Sequence, residues 1–432
     1  MKTRLLIGIA LVLKLTYTSA QWTQKASLPS VARSKSSSFI IGTKLYLIGG
    51  MDNAENALND FWEYDMTTDT WLQKPNFPGA ARFAAVAFSI GNKGYYGTGD
   101  SGASTLFEDM WEYDPLTGIW TQKASIPDPY GELKRHDAIS FTIGNKAYIG
   151  LGLGFSAGGA NTPGGPIPFY DLYEFDPALN SWNQKADIPG YTARTMAIAV
   201  SINNKGYIGL GWNGNQTTNY RSMFEYDPVS DQWLVIANFP SYFSVDAGAF
   251  ALNSKLYLVG GVKLSPLSLS SQFYQYDPLF DTWAVLPNFN GGSISAQFAV
   301  SDGTRAFVGT GFTGSLNGRN DLWEVGSIVA PPTNTTSNPP STPTINTTGI
   351  GQYGDQPAQV VQVYPNPAST KITVNASQKI LNVQIFDVAG SLVQTETNEF
   401  RYISVVNLSA GMYTIKINYT NGTGTARKFI KN

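Results

Sequence analysis

One short motif, met five times, constrains this chain more than any bulk property. WEYD occurs at Trp62–Asp65 and Trp111–Asp114, YEFD at Tyr173–Asp176, FEYD at Phe224–Asp227 and YQYD at Tyr274–Asp277. Seven positions after the third residue of each tetrad stands a tryptophan: Trp71, Trp120, Trp182, Trp233 and Trp283. Upstream of each lies an aromatic–apolar–glycine cluster. These begin at Tyr46, Tyr95, Tyr148, Tyr207 and Tyr257, with a sixth at Phe307, at spacings of 49, 53, 59, 50 and 50 residues. A period of about 50 residues built from several short strands predicts a β-propeller. Abundant glycine and aromatic residues with only 14% charged side chains fit strands and tight turns better than helices.

Each unit reads as four strands. An apolar strand such as Ser38–Gly42 lies innermost, a tight turn leads to the Tyr46 strand, and the WEYD strand comes third. Asp-Pro turns, as at Asp114-Pro115 and Asp227-Pro228, then reverse the chain into the tryptophan strand. The sixth unit ends at Trp323-Glu324-Val325 without such a strand. Trp22-Thr23-Gln24-Lys25 resembles Trp120-Thr121-Gln122-Lys123 and is expected to complete the last blade. The glycine pair, the aromatic and the tryptophan seven residues later resemble the kelch repeat over about 300 residues. True Gly-Gly doublets occur only at Gly49-Gly50 and Gly260-Gly261; Thr98, Leu151, Leu210 and Thr310 replace the first glycine elsewhere. Bacterial kelch-like propellers, sialic-acid mutarotase relatives among them, have similar YIGLG runs.

The ends are of a different kind. Residues 1–20 have Lys2 and Arg4, then an apolar run, then Thr18 and Ala20 before Gln21, the pattern of a secretory signal peptide. Residues 21–326 form the propeller, and no later run is long enough to span a membrane. Residues 327–358, Pro-, Thr- and Asn-rich, read as a semi-extended linker. Residues 359–432 alternate apolar and polar, with Tyr413, Ile415, Ile417 and Tyr419 on one face, and predict a small Ig-like β-sandwich. This tail resembles the type A sorting domain of the type IX secretion system. Matching residues are Tyr364-Pro365-Asn366-Pro367, Ile385-Phe386-Asp387 with Gly390, Gly411 and Tyr413 within Leu408–Tyr413, and Lys428 at the start of KFIK. The resemblance implies the type IX machinery as a partner and a location outside the bacterial outer membrane, secreted or on the surface.

In a four-stranded blade, the loop between the second and third strands and the connection to the next blade emerge on one face. That face carries the candidate site. Arg33, Arg82, Arg135 and Arg194 each lie 13 residues before their unit's tyrosine, with Ser244 and Ile294 in the equivalent places of units five and six. They are expected to ring the channel mouth and bind carboxylates or sugar hydroxyls. The alternative is architectural: each stacks on a neighbouring blade's aromatic and bonds loop carbonyls. His136, the sole histidine, lies in the run Glu132–Asp137, and Trp212 offers a ring for stacking on sugars. Asp60, Asp109, Asp171 and Asp321 recur two residues before the third-strand aromatic, which points to structural bonding.

With no cysteine and one histidine, thiolate sites, disulfides and multi-histidine metal centres are excluded, and no cofactor, metal or catalytic residue is assigned. Galactose oxidase shares the kelch fold, but its copper chemistry needs the cysteine and paired histidines missing here. A net charge of −2 lacks the footprint of a nucleic-acid binder. The expectation is an all-β, six-bladed kelch-type propeller followed by a small sandwich, acting as a monomeric, non-catalytic binding or adhesion module for a glycan or extracellular protein. The alternative is a sugar-modifying enzyme of the mutarotase or epimerase type.

Overall fold

The structure is a computed structural model. It describes residues 22–102, 105–127, 134–156, 165–214, 219–242, 244–264, 266–313, 317–326, 362–364, 368–375, 379–387, 391–397, 402–420 and 424–431. The signal-peptide and linker readings lie outside these residues, as do Glu132, Pro365, Asn366, Pro367 and Gly390.

Six four-stranded antiparallel sheets follow the six units. Blade one runs Ser37–Ile41, Lys44–Ile48, Phe61–Asp65, Thr70–Lys74, and blades two to five repeat that order. The first strands of adjacent blades pack against one another around the axis. Blade six takes three strands from the end of the propeller and its outermost, Trp22–Lys25, from the beginning; Trp22 pairs with Val325 and Lys25 with Leu322. The ring therefore closes as the sequence predicts. Trp22 is buried edge-on against Phe250, Phe273 and Phe289.

Two hoops of backbone hydrogen bonds hold the centre. In the first, the residue two after each unit's Arg position donates its N–H to the same carbonyl one blade back. The bonds run Lys35 to Ala296, Ala84 to Lys35, Asp137 to Ala84, Met196 to Asp137, Asp246 to Met196 and Ala296 to Asp246, at 2.8–3.3 Å. All six of these residues are left-handed, with φ between 50° and 53°. In the second hoop, the second residue of each glycine pair donates to the next blade, as Gly50 N–H does to Arg82 O at 3.0 Å and Gly99 N–H to Arg135 O at 2.9 Å.

The glycine departures then have a physical cause. The first doublet position has φ of 55–70° in every blade, inside the left-handed well that Thr98, Leu151, Leu210 and Thr310 occupy at a cost of about 1–3 kcal/mol each. The second has φ near 100°, and a Cβ there would lie about 2.8 Å from Phe83 O at Gly99 and 2.4 Å from Thr195 O at Gly211. Only glycine fits there.

Blades are stapled at their outer edges too. Asp69, Asp231 and Asp281 each accept their own blade's Tyr hydroxyl and an alanine N–H from the preceding blade, as Asp69 does from Tyr64 (2.7 Å) and Ala26 (2.8 Å). The Trp indole returns the contact, Trp71 donating to Ala26 O at 2.8 Å. Where Pro75 and Pro287 replace the alanine there is no N–H to give, and the indole N–H groups of Trp120 and Trp22 lack a partner among the described residues.

The tail folds as two sheets over one core. A three-stranded sheet (Gln362–Tyr364, Lys371–Asn375, Tyr402–Ser404) faces a four-stranded one (Leu392–Glu396, Ile380–Phe386, Gly411–Tyr419, Gly424–Lys431). Tyr413, Ile415 and Ile417 point into that core with Ile372, Ile385 and Phe429, matching the predicted alternation. Among the described residues no helix is long and apolar enough to cross a membrane.

Candidate functional site at the channel mouth

The four arginines lie four residues ahead of the innermost strands, turned inward to partners within the protein. Their exposure is 0–1%. Arg33 donates to Asp60 Oδ2 at 2.7 Å and to Gly49 O at 3.0 Å. Arg82 donates to Asp109 Oδ2 and Thr98 O, and Arg135 to both oxygens of Asp171 at 2.7 and 2.8 Å and to Leu151 O. Arg194, whose blade has Ser222 in the aspartate position, donates to Leu210 O and to the Thr192 hydroxyl. Arg82, Arg135 and Arg194 stack on Phe107, Phe169 and Tyr220, at 4.0–4.3 Å. These rings belong to the arginine's own blade rather than a neighbour. A ligand carboxylate would have to displace an aspartate to reach any of the first three. For Arg33, Arg82, Arg135 and Arg194 this geometry fits the architectural alternative: they tie the second–third-strand loop to the segment entering the innermost strand. Asp60, Asp109 and Asp171 are their partners, and Asp321 plays the same part with Arg319 in blade six. Burial alone would raise the Asp60 and Asp109 carboxyls; Arg33 and Arg82 hold them below the usual value.

The open part of the mouth is built by the next residues along. A cavity of about 160 Å³ is lined by the left-handed hoop, including Lys35, Asp137, Met196 and Asp246. The backbone of these positions is six-fold, but the side chains are not: Lys35, Ala84, Asp137, Met196, Asp246 and Ala296 in blade order. Lys35 Nζ lies 3.1 Å from Asp137 Oδ2, and His136 Nδ1 lies 2.8 Å from the same oxygen. Burial would lower the Lys35 ammonium, but Asp137 and then Asp246 raise it. Burial would likewise raise Asp137, yet Lys35 and the His136 contact hold it low. Asp246 is pushed up to about 6, chiefly by burial, with Lys35 opposing and Asp137 adding to the rise. The well thus presents an ammonium–carboxylate pair beside a carboxyl whose burial favours its protonated form.

His136 stands behind Asp137, 7% exposed and stacked on Phe155 with ring centroids 5.8 Å apart. Its Nε2 has no partner among the described residues, and the same holds for Thr195 Oγ1, Trp212 Nε1, Ser244 Oγ and Gln297 Oε1. Trp212 and Thr195 exchange backbone hydrogen bonds, which sets the Trp212 ring beside the connection leading to Met196. Sequence reasoning singled out His136 and Trp212 but missed Lys35 and Asp246. The signal was available: aligning units on the Arg position and reading two residues on shows where the repeat stops repeating. Among the described residues no three His, Asp or Glu side chains are placed to hold a metal ion.

Three comparisons bear on this architecture. Residues 10–152 match the KLHDC2/KLHL20/DRC7 kelch-repeats domain, residues 244–290 the kelch motif, and residues 362–432 the secretion system C-terminal sorting domain. Two curated relatives are each called N-acetylneuraminate epimerase. That of Yersinia enterocolitica is 31% identical over 31% of this chain and 34% of its own, and that of Pasteurella multocida 32% over 28% and 29%. Kelch-like protein 24 of Rattus norvegicus is 33% identical over 21% of this chain and 13% of its own. The chain thus spans about a third or less of these relatives. A solved structure titled "Structure of YjhT" superposes with a TM-score of 0.56 at 16% identity, covering 68% of this chain and 95% of that one, a likeness of fold alone. The sorting domain indicates secretion or attachment at the cell surface. The chain is a kelch-repeat propeller protein carrying a C-terminal secretion sorting domain.

Proposed function

We propose that the propeller is an extracellular binding module and that the well at its channel mouth receives a small polyhydroxylated group, such as a terminal sugar. The observation that carries this is the broken symmetry of the hoop. One backbone conformation is kept in all six blades, while charge is concentrated on Lys35, Asp137 and Asp246. Architectural positions repeat, as the arginine–aspartate pairs do; these do not. An ammonium and two carboxyls offer donors and acceptors suited to hydroxyls, and the orphaned polar atoms behind them favour a polar occupant. Screening the purified protein on a broad glycan array, followed by titration of any hit, tests this. Lys35→Met and Asp246→Asn should abolish the affinity and Arg82→Met should spare it. Unchanged affinity in both well variants would refute the placement.

A second reading, catalysis of sugar epimerisation or mutarotation, is favoured by one feature. Burial pushes the Asp246 carboxyl up to about 6, toward the range useful to a general acid–base group, and two partial relatives are named for epimerisation. The discriminating assay is the rate at which N-acetylneuraminate anomers equilibrate by NMR with and without protein. Acceleration lost in Asp246→Asn would establish it, and no acceleration would leave binding alone.

A further inference from the structure

On the loop face the repeat breaks in a second place. Arg221 occupies the position held by Asn59, Glu108, Tyr170, Ser271 and Asn320 in the other blades. Lys263 occupies the one held by Asp52, Ser101, Gly154, Asn213 and Thr313. Neither position carries a cation in any other blade. The two meet on Tyr242, which is 60% exposed, in the connection from blade four to blade five: the Arg221 guanidinium lies 4.6 Å and the Lys263 ammonium 5.9 Å from its ring centre. Both cations are half-buried, and among the described residues neither forms an ion pair with an acid. A ring face attracts cations without cancelling their charge. Tyr242 therefore gathers two positive charges around one exposed ring, four residues before Asp246 of the well.

We infer that Arg221, Tyr242 and Lys263 form a subsite for the anionic group, carboxylate or sulfate ester, of an acidic polysaccharide whose neighbouring sugar enters the well. This deepens the reading above and rests on it for the second contact, but different residues carry it. A patch of two cations on a chain of net charge −2 is too small for nucleic acid and matches the spaced charges of a uronate or sulfated chain.

The test uses the whole protein and three probes in isothermal titration: polygalacturonate, dextran sulfate and neutral dextran. Saturable binding to one or both polyanions and none to dextran is expected, the preferred polyanion telling carboxylate from sulfate. Arg221→Ala/Lys263→Ala should weaken it about tenfold, the sum of two partly screened charge contacts, and flatten its salt dependence. Tyr242→Phe should keep most of the affinity, and Tyr242→Ala should lose part of it. Wild-type affinity in the double variant, or no polyanion binding by the wild type, overturns the inference. Loss in Asp246→Asn but not in the double variant overturns the patch while leaving the well intact. Equal binding of polyglutamate overturns the assignment to a polysaccharide.

Discussion

Removing the Trp22 side chain probes the closure of the ring more cleanly than deleting the strand. Trp22 lies four residues from Ala26, whose N–H reaches Asp69 of blade one, so one short segment joins blade six to both its neighbours. The indole is 4% exposed and meets Phe273 and Phe289 edge-on at 5.2 and 4.8 Å. Its N–H has no partner among the described residues, so its contribution is packing alone. Trp22→Ala should then cost about 3–5 kcal/mol, the usual range for emptying a buried tryptophan site. Against a total of about 5–15 kcal/mol this is a large fraction. At roughly 2 °C per kcal/mol for a domain of this size, the melting temperature should fall by about 6–10 °C. Trp22→Phe should recover most of that loss, because no hydrogen bond is given up. Trp233→Phe should cost about 1 kcal/mol more than its lost area, since Trp233 donates to Ala186 O at 2.8 Å. Differential scanning calorimetry on the three variants reads all of this. A Trp22→Ala protein melting within 2 °C of wild type would refute the idea that the first strand closes a cooperative ring.

Three further outcomes follow from the same geometry. Arg82→Met strands the Asp109 carboxylate and should cost about 3–5 kcal/mol by urea unfolding. Because Arg82 holds Asp109 below its ordinary pKa, the wild-type contribution is present above about pH 4 and lost as pH falls, so the deficit should shrink in acid. Asp246 has the opposite sign. Its raised pKa means that the fold favours the protonated form, so its contribution is present below about pH 4 and lost as pH rises through about 6. Asp246→Asn should therefore raise the melting temperature more at pH 7.5 than at pH 4.5, and an equal shift at both would count against the burial argument. Gly99→Ala should destabilise by about 1–3 kcal/mol, read by urea unfolding, through strain at a φ near 100° and contact with Phe83 O.

What the sequence shows and what it hides divide along the line between repetition and exception. Blade number, strand order and the closing strand were legible because each is written several times over: one tetrad is ambiguous, five at a constant offset from a tryptophan are not. The arginines were legible as a series, but not whether they bind a ligand or staple loops, because spacing along the chain does not say which way a side chain turns. Asp60, Asp109 and Asp171 each recur two residues before the third-strand aromatic in the same blades as Arg33, Arg82 and Arg135, and two series of opposite charge, one of each per blade, are what paired staples look like. Lys35 and Asp246 escaped notice for the converse reason. They recur in position but not in kind, so averaging the units erases them. The left-handed hoop that aims them at the axis is a property of the backbone, set by hydrogen bonds between blades rather than by any local residue preference, as Lys35, Met196 and Ala296 adopting one conformation demonstrates. In a propeller the repeated residues make the wall, and function has to be sought where one blade departs from the other five. Arg221 and Lys263 satisfy that criterion as fully as the residues of the well do.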